Sequence, residues 1–113
     1  GLGGITEYLK VSALAQSNFI PITNHVWGSA LSVAVNLHLL TAQPDMPGGL
    51  FPFQSMLEFD TTDKNIFITD LCNENFSVLD QVKKNDGYVK PIENVGIGIN
   101  PNKDFIKKFE INE

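Results

Sequence analysis

The order of its periodic segments constrains this chain more than any other feature: a helix, a short strand, a helix, a second short strand, then a tail. Residues 7–16 carry apolar side chains in a wide stripe, with Thr6 at the N-cap position, Glu7 in the first turn and Asn18 as the stop. Residues 19–23 are a β-favouring run with Pro21 near its entry, and residues 24–28 read as a polar and aromatic turn. Ser29 then caps a second helix from Ala30 to about Thr41, apolar on most of its circumference and therefore covered on nearly all sides. Residues 55–60 are the second strand candidate. Helix and strand alternating at this spacing is the pattern of β/α units with a parallel sheet. Two strands cannot make a stable parallel sheet with both faces covered. The order therefore fits the closing part of a larger β/α protein.

Residues 43–54 hold Pro44, Pro47, Gly48, Gly49 and Pro52 and read as a loop. Running from a helix back to a strand, it is expected on the face opposite any site at the carboxyl ends of the strands. Beyond residue 60 the chain turns polar and irregular, with hairpin-like signals at residues 85–87 and 96–98 and a short amphipathic end at residues 103–109. Neither Gly1-x-Gly3-Gly4 nor Gly96-x-Gly98 carries the rest of a phosphate-loop or dinucleotide fingerprint, so these are turn glycines.

The 113 residues suffice for one modest core, and their composition excludes several roles. Thirteen acidic residues face eight lysines and no arginine, a net charge of −5 without the cationic stripe that a nucleic-acid binder needs. The longest apolar stretch, residues 26–42, is broken by Ser29, Ser32, Asn36 and His38 and falls short of a bilayer span. A single cysteine, Cys72, forms no internal disulfide; with no signal-like segment, it points to a reducing cytoplasm. The chain opens at Gly1 without an initiator Met, the expected look of a piece of something longer.

In parallel β/α architectures, catalytic side chains gather at the carboxyl ends of strands. His25, just after the first strand candidate, and Glu58, at the end of the second, meet that rule and should look up from one face. Each also has a plainer reading. A lone histidine after a strand commonly bonds a backbone carbonyl, and a carboxyl between Leu57 and Phe59 commonly serves in an ion pair or cap. Trp27 either lines a pocket or, the favoured reading, packs on the next helix. His38, inside the apolar helix, reads as a packed and satisfied histidine. No spacing of His and Cys makes a metal site, and Cys72 has no base near it in sequence.

Residues 3–7 (Gly-Gly-Ile-Thr-Glu), Leu14-Ala15, and Ile20-Pro21-Ile22 leading into His25-Val26-Trp27-Gly28 resemble the mandelate racemase/muconate lactonizing enzyme-like branch of the enolase superfamily. Leu57-Glu58-Phe59 resembles that family's next strand. Tyr88-Val89 through Gly96-Ile97-Gly98-Ile99 resembles its C-terminal segment. The resemblance covers essentially the whole chain, about the last third of a family member.

The resemblance implies an α/β fold, the C-terminal portion of a (β/α)8 barrel. Residues 1–70 would supply its last helix-strand units and residues 71–113 a tail returning to the capping domain. It implies removal of a proton next to a carboxylate through an enediolate stabilised by Mg2+. His25 matches the family's catalytic base, and Glu58 the carboxyl facing the substrate carboxylate, where a protonated form would donate a hydrogen bond. The family's Mg2+ ligands, its lysine and the aspartate that orients the histidine would lie upstream of Gly1; Asp45, Asp60 and Asp63 are not substitutes. The implied partners are a small hydroxy-acid or sugar-acid carboxylate, the remainder of the barrel and a second copy in a homo-oligomer, with neither nucleic acid nor membrane. Dehydration is the expected outcome. Racemisation or epimerisation, or a non-catalytic module that kept only the barrel packing, are the alternatives, and the 113 residues alone are expected to be inactive.

Overall fold

A computed structural model describes residues 3–44, 53–62, 65–74 and 78–111. The first helix, α1 (Ile5–Ser17), starts two residues before the expected Glu7, because Gly4 rather than Thr6 takes the N-cap position. It ends at Asn18 as expected. Phe19 N–H donates to Gln16 O and Ile20 N–H to Ala15 O, with Phe19 in the left-handed region at φ 56°. That paired closure is a Schellman arrangement, which glycine ordinarily completes at the position Phe19 holds.

This helix end corrects the first strand. The β-favouring side chains at residues 19–22 belong to the helix closure and an extended lead-in, and the strand, β1, is Thr23–Val26. Its side chains alternate in exposure: Thr23 and His25 outward, Asn24 and Val26 buried. After Gly28, the second helix, α2 (Ala30–Thr41), keeps the expected bounds; Ser29 accepts the Ser32 N–H through its side chain. The second strand, β2, is Met56–Phe59, parallel to β1, with His25 opposite Glu58 and Val26 opposite Phe59. A helical crossover is what two parallel neighbours require.

The core lies on the α2 side of this two-stranded sheet. Ala30, Val33, Ala34, Leu37 and Leu40 recur at helical spacing and are all buried, and Val26 joins them from β1. The rest of the covering comes from the tail. Cys72, Val78 and Ile99 complete the buried cluster, and Leu71, Val82, Val89, Ile92 and Ile97 pack around it. His38 is tied in as well, its Nε2 3.2 Å from Ile97 O. Only Ser32 and Thr41 of α2 are exposed, as a helix apolar on most sides demands.

The tail is less irregular than its composition suggests. Among the described residues beyond 60, three short helices form, α3 (Ile66–Thr69), α4 (Val78–Lys84) and α5 (Lys103–Lys107). The hairpin signals produce no strands among the described residues. Asp86 (φ 52°) and Gly87 (φ 89°) instead reverse the chain after α4, with Gly87 N–H donating to Val82 O. Positive φ at a polar-glycine pair serves a helix end as well as a hairpin. Gly98 (φ 87°) is a turn glycine with no room for a side chain: a Cβ there would lie 2.4 Å from Ile92 O. Antiparallel bridging between Cys72 and Pro101, with Asn102 N–H donating to Leu71 O, fastens the C-terminal segment to the start of the tail. Most of the loop expected at residues 43–54, residues 45–52, lies outside the described residues.

Candidate functional site

The sheet has one covered and one open face, and the open one carries the chemistry. Leu57 turns toward α2, while Thr23, His25, Met56 and Glu58 stay exposed on the other side. His25 is inside β1, third of its four residues, rather than in a turn after it. Strand register brings the imidazole and the carboxylate together: His25 Nδ1 is 3.4 Å from Glu58 Oε2. Their side chains are 65% and 68% exposed. Leu57 therefore does not enclose the Glu58 carboxyl, because strand period turns adjacent side chains to opposite faces.

Beneath the pair, the strand is held by a polar network that turn chemistry would not suggest. Asn24, 7% exposed, accepts from the Tyr8 hydroxyl at 3.1 Å and donates to Asn36 Oδ1 at 2.9 Å. Asn36 donates on to Ser32 O, and Gln43 donates to the Tyr8 hydroxyl. One asparagine thus links α1, β1 and α2, and each buried polar atom in it has a partner. Nothing in sequence spacing marks Asn24 as buried; its alternation with the exposed His25 is the signal, visible only once the strand is placed.

Trp27 and Asp60 are the first residues beyond the carboxyl ends of β1 and β2. The expectation that Trp27 packs on the next helix is not met. It is 77% exposed and borders an open cleft with Gly28, Asp60, Thr62, Asn65 and Phe67. Asp60 accepts the Thr62 N–H at 2.8 Å. That bond and then the Thr62 hydroxyl hold its carboxyl below the usual carboxylate range; burial opposes them, and the Trp27 indole adds the least. Asn65 Nδ2 donates to Gly28 O at 3.3 Å across the cleft. Asp60-Thr61-Thr62 is an Asx-turn sequence, a local signal by which these residues could have been found.

Cys72 is buried, and its thiol is pushed up first by that burial and then by the charge of Glu74, which makes it a poor nucleophile. The Mg2+ implied by the resemblance does not fit these groups. Among the described residues no three His, Cys, Asp or Glu side chains gather to hold a metal ion, and a hard dication takes six or more oxygens. Asp45 and Asp63 lie outside the described residues. No helix of the described residues is long and apolar enough to cross a membrane.

The model of one protein family, enolase C-terminal domain-like, matches residues 1–105. The chain belongs to this family. It is also 29% identical over 111 residues to the D-galactarolactone cycloisomerase of Agrobacterium fabrum, a match covering 98% of this chain and 28% of that enzyme. The chain thus spans little more than a quarter of that relative's length. No solved structure matches it. For a mandelate racemase-like enolase chain, mixed α/β structure with a parallel strand pair is the expected architecture, and its relative is an enzyme.

Proposed function

We propose that this chain is the closing portion of the (β/α)8 barrel of an enolase-superfamily enzyme, and that it carries the histidine which moves the substrate's α-proton. The observation behind this is the 3.4 Å approach of His25 Nδ1 to Glu58 Oε2 on the open face of two parallel strands. Imidazole suits taking and returning a proton near neutrality. With Nδ1 turned to Glu58, Nε2 is left free to meet the α-carbon. Glu58, one strand away, faces the substrate carboxylate, where a protonated form would donate a hydrogen bond to the charge that develops. Residues 71–113 form the tail that returns to a capping domain, and Mg2+, where it acts, is held by residues outside those described. The whole enzyme works in the cytoplasm as a homo-oligomer on a hydroxy-acid or sugar-acid carboxylate.

The expected outcome of the reaction is loss of water from a sugar acid. A second reading, isomerisation of a sugar-acid lactone, is favoured by the activity for which the Agrobacterium relative is named. Full-length enzyme incubated in deuterium oxide with sugar acids and their lactones separates them. A product lighter by one water supports dehydration, and a product of unchanged formula carrying deuterium supports isomerisation. Neither product, with no deuterium at the α-carbon of any substrate, would overturn both.

A further inference from the structure

We propose that Asn24 is a positioning residue for His25: a one-directional series of hydrogen bonds through its buried side chain fixes where the imidazole meets the α-carbon. The inference rests on the function proposed above and deepens it, assigning a role to a residue on the face turned away from substrate. The series runs through five groups: Gln43 Nε2 donates to the Tyr8 hydroxyl, Tyr8 to Asn24 Oδ1, Asn24 Nδ2 to Asn36 Oδ1, and Asn36 Nδ2 to Ser32 O. Because Tyr8 accepts from Gln43, its own proton is left for Asn24, which sets the way the Asn24 amide is turned. Hydrogen bonds aligned in one direction and shielded from water strengthen one another.

Both sides of the series are anchored in helices. Tyr8 belongs to α1, Asn36 and Ser32 belong to α2, and Gln43 lies just past the end of α2. Asn24, gripped from both helices, is fixed in height along the strand and in rotation about its axis. His25 is the next residue and points to the opposite face. Any turn or slide of β1 that Asn24 resists is therefore one that His25 would follow. Such a movement would also part the imidazole from Glu58, its register partner, whose Oε2 is 3.4 Å from Nδ1.

An amide suits this duty better than an apolar side chain. Val26, the other buried residue of β1, packs in the apolar cluster, and such contact is non-directional. A hydrogen bond holds its partners to a narrow range of length and angle. Proton transfer needs that precision: the reacting groups must be held to within about 0.5 Å, and an error of about 1 Å can slow the step about 100-fold.

The test uses full-length enzyme and the sugar acid or lactone that wild type exchanges fastest in deuterium oxide. Asn24→Leu should lower kcat for α-proton exchange by about tenfold or more while KM stays within about twofold, because the substrate's own contacts are left in place. Tyr8→Phe, which keeps the bond from Asn24 to Asn36, should lower kcat several-fold at an unmoved KM; it decides the matter if Asn24→Leu fails to fold. Val78→Ala, in the core cluster but outside the series, is the control: it should lower the midpoint of unfolding and keep kcat within about twofold of wild type. A kcat in folded Asn24→Leu within about twofold of wild type, or a fall that Val78→Ala reproduces, overturns the role of Asn24 while normal wild-type exchange keeps the function intact. A loss that comes as a raised KM at unchanged kcat overturns it as well. Absence of exchange in wild type on every substrate overturns the function itself, and the role of Asn24 with it.

Discussion

At the scale of single residues, Asn24 and Tyr8 decide how the strand that carries His25 is held. The Tyr8 hydroxyl donates to Asn24 and accepts from Gln43, so Tyr8→Phe leaves the buried Asn24 Oδ1 without its donor. The expected cost is about 1 to 3 kcal/mol, read as a lower midpoint in urea with an unchanged slope. A neutral result would mean that water replaces the hydroxyl. Glu58→Gln, which retains a hydrogen-bond donor, should keep more activity than Glu58→Ala if that side chain meets the substrate carboxylate. Equal losses would point instead to a role through its charge beside His25.

The elements show why some of this structure was legible in the sequence and some was not. The bounds of α2 follow from a capping serine and an unbroken apolar pattern, both local. β1 was displaced by residues 19–22, whose side chains favour strands while their backbone closes a helix. Its polar Asn24 and His25 looked like a turn because one is buried with partners and the other faces an open side. The helices α3 and α4 carry little periodicity of their own; α3 is held against α2 and α4 through Val78 and Val82 at the core cluster, which no short window reveals. Phe19 sits at the left-handed closing position of α1, where a bulky side chain costs about 1 to 2 kcal/mol. Since it is exposed, Phe19→Gly should raise stability by about 1 kcal/mol after glycine's own entropic cost, measured by chemical denaturation.

The junction between residues 71–74 and 100–102 has a pH dependence of definite sign. Asn100 donates its backbone and side-chain N–H groups to Glu74, both at 2.7 Å, and these bonds hold the Glu74 carboxyl below the usual glutamate range. The native state then binds fewer protons than the unfolded one, so the contribution is present above the ordinary glutamate range and lost as pH falls through the depressed value. Protection of the Asn100 amide, its exchange rate measured against the intrinsic rate at each pH, should fall on acidification in the wild type and be low already at neutral pH in Glu74→Gln. Full protection of that amide in the variant would remove Glu74 from the role.

At the scale of the whole molecule, the decisive feature is a sheet of two parallel strands covered by α2 on one face and open on the other. The covered face explains the stability of the pair, and the open face presents His25 and Glu58 opposite each other in register. The family was legible from residues 3–28 because that run couples a helix start, a strand and the His25 neighbourhood in one stretch. The metal had no signal of its own in these residues and entered only through the resemblance, which puts its ligands upstream of Gly1. The central claim is that His25 moves the α-proton, and hydrogen-deuterium exchange tests it most directly. Full-length enzyme with Mg2+ should exchange the α-proton of its carboxylate substrate with solvent, and His25→Asn should abolish that exchange without lowering the midpoint of unfolding. Exchange at the wild-type rate in the folded variant would contradict the account.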